Sequence, residues 1–191
     1  MPTFAGMRDQ LRKLRTAARR LGAFARAEDG TAAVETALVA APFLLLLFGI
    51  IELGIIFLVS ASLDNATSTI GRTIRTGEEQ TGAAPTAANF KSAICSNFGW
   101  LQSDCAANLA VDVETFSSFS AVTAPHPVSN GVFNPNNLAF NPGGPNDIVV
   151  VHAYYPWPLV APGLTQALST VSGGKALLTS VSTFRNEPYG S

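Results

Sequence analysis

The stretch ALVAAPFLLLLFGIIELGIIFLVSA, residues 37–61, decides how this chain is organised. It holds 25 residues with one carboxylate, Glu52, and no base. A helix needs roughly 20 apolar residues to cross a hydrocarbon core of about 30 Å. At 1.5 Å per residue this run reaches about 37 Å, enough to cross with some tilt. Seven of the chain's 12 basic side chains precede it: Arg8, Arg12, Lys13, Arg15, Arg19, Arg20 and Arg26. Cytoplasmic flanks carry the excess of Lys and Arg, so residues 1–29 are expected inside and the C-terminal part outside. The two cysteines, Cys95 and Cys105, both fall on the outer side, where an oxidising compartment lets them pair. A net charge of −1 argues against a nucleic-acid partner, because phosphate binding needs an excess of bases.

Working outward, residues 1–30 read as a basic leader, with weak helical periodicity over Met7–Leu21. Arg19-Arg20 suggests a twin-arginine export signal, but the apolar run lies too far downstream and is too long for one. From Thr31 to Thr76 the pattern predicts one helix of about 69 Å. Its second half is amphipathic, with Leu63, Ala66, Ile70 and Ile74 at helical spacing, and so has to pack on the outer domain. Gly77 is the expected stop. Pro42 lies inside the helix, removes one backbone hydrogen bond and is expected to kink it. Ala33, Ala37 and Ala41 form a ridge of small residues at spacing four, which permits close helix approach in lipid.

Beyond a Gly77–Pro85 linker, a helix is predicted over Thr86–Leu101, with Phe90, Ile94, Phe98 and Leu101 as its buried stripe. Strands are predicted at Leu109–Phe116, Asp147–Tyr155 and Ala176–Arg185, and a short helix near Gly163–Val171. Residues 117–146, rich in Pro, Asn and Gly, read as a long loop. The sum is an α+β chain: a long N-terminal transmembrane helix and a small antiparallel-sheet domain over residues 77–191.

The chemistry concentrates where leader meets span, at Gly30-Thr31-Ala32-Ala33-Val34-Glu35. This resembles a type IV prepilin processing site, in which an aspartyl prepilin peptidase cuts after the glycine and the fifth residue of the mature chain is glutamate. Glycine suits a bond that a peptidase has to approach closely. Cleavage between Gly30 and Thr31 would leave an α-ammonium near hydrocarbon, and Glu35 of the same or a neighbouring helix would neutralise it. The alternative is that Glu35 is an interfacial residue at the headgroups.

The longer stretch GTAAVETALVAAPFLLLLFGIIELG, residues 30–54, resembles the N-terminal segment of TadE-like proteins, the pseudopilins of tight-adherence (Tad, Flp-type) pilus systems. The likeness extends to Thr76-Gly77 and to the terminal Arg185-Asn186-Glu187-Pro188-Tyr189. The aromatic residue often found after the processing glutamate is Thr36 here. The resemblance implies a minor pseudopilin in the inner membrane. Its partners would be other pilin subunits, a prepilin peptidase and a membrane assembly platform.

Glu52 stands 17 positions after Glu35, about 260° around a straight helix, so the two carboxylates face different neighbours. A carboxylate inside a span costs roughly 2.5–3.5 kcal/mol on insertion scales. Either it makes an assembly contact or it is protonated and bonded to a backbone carbonyl. Cys95 and Cys105 enclose nine residues and are expected to form a disulfide rather than a metal site, since no further ligands stand at short spacing. His126, between Pro125 and Pro127, and His152, in a strand, have no nucleophile or metal partner in sequence. Tyr154, Tyr155 and Trp157 read as core and edge packing. No cofactor motif and no catalytic constellation occurs. The competing reading is a secreted or membrane-tethered binding domain with a long signal sequence, cut near Val59-Ser60-Ala61.

Overall fold

A computed structural model describes residues 28–78, 86–123, 125–161 and 163–189. Residues 1–27 of the leader, with its Met7–Leu21 periodicity and its arginine pair, and most of the Gly77–Pro85 linker therefore lie outside the described residues. The long helix, α1, runs over Glu28–Arg75 and contains Pro42. Two compact units divide the chain, Met1–Leu47 and Phe48–Ser191. In the first, the described residues 28–47 are helical, and large apolar side chains such as Val34, Leu38, Phe43 and Leu46 are exposed.

In the second unit α1 changes character. Val59, Leu63, Ala66, Thr67 and Ile74 are buried, and they recur at the three- and four-residue spacing that keeps side chains on one helix face. This stripe joins a core with Phe90 and Ile94 of the next helix, with Phe98 just beyond it, and with Val149, Val151, Ala153 and Tyr155 of the sheet. The amphipathic half of α1 therefore packs on the outer domain.

The predicted helix over 86–101 is split. Helix α2 is Ala87–Ser96, capped by Thr86 Oγ1, which accepts from the Asn89 amide at 3.2 Å. A 3₁₀ turn at Gly99–Leu101 redirects the chain into α3, Gln102–Asn108. Gly99 has φ +55°, a conformation that ordinary side chains disfavour, and this is where the single helix fails. Cys95 of α2 and Cys105 of α3 are joined by a disulfide, with Cα atoms 5.5 Å apart. Closing a loop of this length contributes about 2–3 kcal/mol in the chain-entropy model.

Strands β1 (Ala110–Phe116), β4 (Ile148–Pro158) and β5 (Lys175–Arg185) form an antiparallel sheet in the order β1-β4-β5. The central place of β4 follows from its sequence, because Ile148 through Tyr155 are buried on both faces and read as a continuous apolar run. Residues 117–146 are not all irregular. They contain a small hairpin of β2 (Val128–Ser129) and β3 (Val132–Phe133), and Phe133 lies 5.9 Å from Tyr154 on the sheet face turned away from α1. The returning segment pairs with the free edge of β1, where Val113 donates to the Ala139 carbonyl and Asn141 to the Val113 carbonyl. A short helix, α4, occupies Leu164–Leu168.

The end of the chain is fastened to the end of α1. The Glu187 amide donates to the Arg75 carbonyl at 2.9 Å, satisfying one of the acceptors that a helix C-terminus leaves open. The Arg75 and Glu187 side chains pair at 3.3 Å on the surface. Gly77 has φ +82°, and a Cβ there would lie 2.4 Å from the Tyr189 ring. Gly77 therefore meets two demands, a left-handed backbone and room for an aromatic ring. Replacing Gly77 by Ala is expected to lower the stability of the full chain in detergent by about 2 kcal/mol or more, from left-handed strain and ring displacement together. A chemical denaturation curve whose midpoint does not move would refute this.

Candidate assembly site

Glu35 and Glu52, the two glutamates singled out on α1, have different surroundings. Glu35 is exposed in the first unit. Beside it, the Thr36 hydroxyl donates to the Ala32 carbonyl at 2.8 Å, so this side chain folds back on its own helix. Gly30 is also exposed, and a Cβ added there would meet nothing within 4 Å. Because α1 begins at Glu28, the Gly30–Thr31 bond lies within the helix.

Glu52 belongs to the second unit and is only 9% exposed. Its Oε1 accepts the Val160 amide at 2.5 Å and its Oε2 accepts the Ala161 amide at 2.7 Å. Both oxygens are thus used within the chain, by a loop more than 100 residues away. Backbone donors held by a charged acceptor make stronger bonds than neutral pairs. Sequence offered either a partner subunit or a protonated carboxyl for Glu52. The bonds observed are a third arrangement, in which the carboxylate acts purely as an acceptor. The loop sequence had no signal for this, because a backbone N–H is not written in any side chain.

This loop, residues 157–161, forms the wall of a groove of about 380 Å³ against α1. Phe48, Ile51 and Ile55 line it from the helix, and Trp157, Pro158 and Val160 from the loop, with Glu52 between them. Apart from that carboxylate, every lining side chain is apolar.

A second polar cluster lies on the sheet face turned away from α1. Asp112 and His152 are register partners across β1 and β4, and both are buried. The alternation of β1 marked Asp112 as a polar-face residue, but the loop that covers this face encloses it. Asp112 Oδ1 accepts the Ala139 amide at 2.7 Å, tying down the loop. Its Oδ2 stands 3.9 Å from His152 Nδ1 without a hydrogen bond. The His152 ring stacks on Tyr154, with 4° between the planes. Burial pushes the imidazole below its ordinary range, partly offset by the Asp112 carboxylate. Burial and the two nearby carboxylates of Asp112 and Glu114 push the Tyr154 phenol up to about 12. Through the Asp112–Ala139 bond the cluster holds the covering loop to the sheet. On the other face Tyr155 donates to Asp104 Oδ2 and meets Phe98 edge-on at 5.7 Å, which joins the disulfide-bearing helices to the sheet.

Comparison with known protein families gives one match: the family model described as TadE-like protein matches residues 30–72. The matched segment includes both Glu35 and Glu52. No curated protein and no solved structure matched the chain.

Two outcomes follow for these groups. Replacing Glu52 by Ala leaves two backbone donors without an acceptor, at a cost of about 1–3 kcal/mol for each that stays dry. Amide exchange at Val160 and Ala161 is then expected to accelerate well before that of β4, and equal protection in the variant would refute the clamp. The second concerns pH. An imidazole whose folded pKa lies below its unfolded value of about 6.5 leaves the unfolded chain binding more protons in acid. The His152 contribution is therefore present above that value and is lost as pH falls toward the folded pKa. The denaturation midpoint is expected to drop as pH falls below about 6.5. His152→Gln is expected to flatten that slope, and an unchanged slope would refute the assignment.

Proposed function

We propose that this chain, through its TadE-like N-terminal segment, serves as a minor pseudopilin of a Tad-type pilus or secretion apparatus, anchored by a single pass of α1. The observation that carries this reading is the family match over 30–72, laid on a helix whose residues 37–51 are all apolar and mostly exposed. In this reading the basic leader stays in the cytoplasm, the span crosses the inner membrane, and the α+β domain stands outside. A prepilin peptidase removes residues 1–30. Cleavage within a helix requires local unwinding, and Gly30, a poor helix former, lowers its cost by about 1 kcal/mol relative to Ala.

The two carboxylates then have separate tasks. Glu35 is the exposed one, available to the Thr31 α-ammonium of its own or a neighbouring subunit and to the assembly platform. Glu52 serves assembly indirectly. By fixing where the outer domain meets the helix, it sets how much bare helix a neighbour encounters. The disulfide fits the outer location, since bonds of this kind persist in oxidising compartments.

The alternative of a secreted domain released near Val59-Ser60-Ala61 fits the packing poorly. Such a cut would remove Glu52 and Val59, which are buried against the outer domain. The test is the N-terminal residue and intact mass of the protein from its native envelope, with and without the prepilin peptidase. The expected result is a chain that starts at Thr31 and reverts to the full-length form without the peptidase or in Gly30→Leu. A soluble protein starting at Ser62 would overturn the proposal.

A further inference from the structure

The loop Trp157–Ala161 combines apolar side chains with a backbone that has no free donors. Trp157 is registered on Ala176 in the sheet. Pro158 and Pro162 have no N–H by their covalent structure. The Leu159 amide donates to the Gly174 carbonyl at 3.1 Å. The amides of Val160 and Ala161 are taken by the two oxygens of Glu52. From Pro158 to Ala161 every backbone donor is therefore absent or satisfied, while Val160 is 83% exposed. Such a segment can leave water without orphaned amides, which irregular backbone requires beside a hydrocarbon layer.

Charge and position agree. From Ile148 to Gly174 the chain contains no Asp, Glu, Lys or Arg. Trp157 is the residue type that concentrates at membrane–water boundaries, with its ring anchored among headgroups. The loop sits on α1 at Glu52, which lies inside the apolar run 37–61. Residues 37–51 precede it, 15 residues or about 22 Å of helix, so Glu52 falls in the outer half of a hydrocarbon core about 30 Å thick. Phe48 and Ile51, which line the groove, are themselves exposed residues of that apolar run.

We propose that the loop Trp157–Ala161 dips into the outer leaflet of the membrane beside α1, with lipid acyl chains filling the groove and Glu52 sealing the loop's backbone donors. This rests on the reading of α1 as a membrane span. In it, Glu52 lies in the outer half of the bilayer, not at its centre, and the outer domain is seated on the membrane by a second apolar contact. A second copy of this chain is the competing occupant. The lack of free donors favours lipid, because it removes hydrogen-bonding need while leaving side chains such as Val160 uncovered.

The two tryptophans allow a direct test on the full chain. Trp100 is 74% exposed and lies on the 3₁₀ turn between α2 and α3. W100F leaves Trp157 as the sole reporter, and W157F leaves Trp100. Both are reconstituted into phosphatidylethanolamine–phosphatidylglycerol vesicles that contain phosphatidylcholine brominated either near the headgroup or near the chain end. Trp157 is expected to be quenched several-fold more than Trp100, and more by the shallow bromines than by the deep ones. Val160→Asp, placed in the W100F chain, is expected to bring quenching down toward the Trp100 level without changing flotation with the vesicles. If the protein floats but Trp157 is quenched no more than Trp100, the inference is overturned and the anchor survives. Quenching of Trp157 that appears only on dilution into excess lipid would assign the groove to a second copy and also overturn it. Failure of the protein to float would remove the membrane reading itself, and the inference with it.

Discussion

Backbone donors that leave water have to find acceptors, and this constraint organises the region where helix and domain meet. Over residues 37–51, α1 satisfies its own amides by helical bonding and offers only apolar side chains. Downstream, it is one wall of a folded core. At the boundary one irregular loop lies on the helix, and its two amides are answered by a single carboxylate. Without Glu52 the same loop would either open to solvent or carry orphaned donors. The groove, the position of Trp157 and the packing of β4 against α1 all presuppose that this contact is made.

The same logic recurs on a smaller scale in the outer domain. Asp112 uses one oxygen to hold the Ala139 amide, so the long 117–146 segment is secured at the edge of β1. Asn186 uses its amide nitrogen on the carbonyls of Pro142 and Gly144, at 2.9 and 3.0 Å, and secures the other end of that segment. Buried polar side chains here are fasteners for irregular backbone. That explains why the segment with most Pro, Asn and Gly can cover a sheet face without regular structure of its own.

Much of this architecture is legible in sequence because it rests on periodicity. The stripe Leu63, Ala66, Ile70 and Ile74 predicts that α1 packs on the domain, and the three long strands fall within a few residues of their expected places. The Cys95–Cys105 pairing follows from spacing and compartment. What sequence did not disclose depends on backbone geometry. The break at Gly99 needs a positive φ that no pattern announces. The hairpin of β2 and β3 is too short to show alternation. The partners of Glu52 are main-chain amides, and the enclosure of Asp112 depends on a loop whose path is set only in three dimensions. The terminal Asn-Glu-Pro-Tyr sequence could be recognised as a motif, but its contact with Gly77 became visible only in the fold.

The fastening of the chain's end to α1 has a mechanical consequence. Glu52 meets the loop that leaves β4, near the start of β5, whereas Gly71 lies against Ser182 and Phe184 near the end of β5. The helix therefore runs alongside β5 in the same direction, and at Arg75 it is tied to Glu187 just past that strand. A pull along the helix axis reaches the sheet lengthwise through β5, whose 11 residues are all registered on β4. Ladder bonds loaded in this way share the force and do not open one at a time from an end. A subunit dragged out of a membrane by its helix would carry the load in shear, the direction in which a small sheet is hardest to tear.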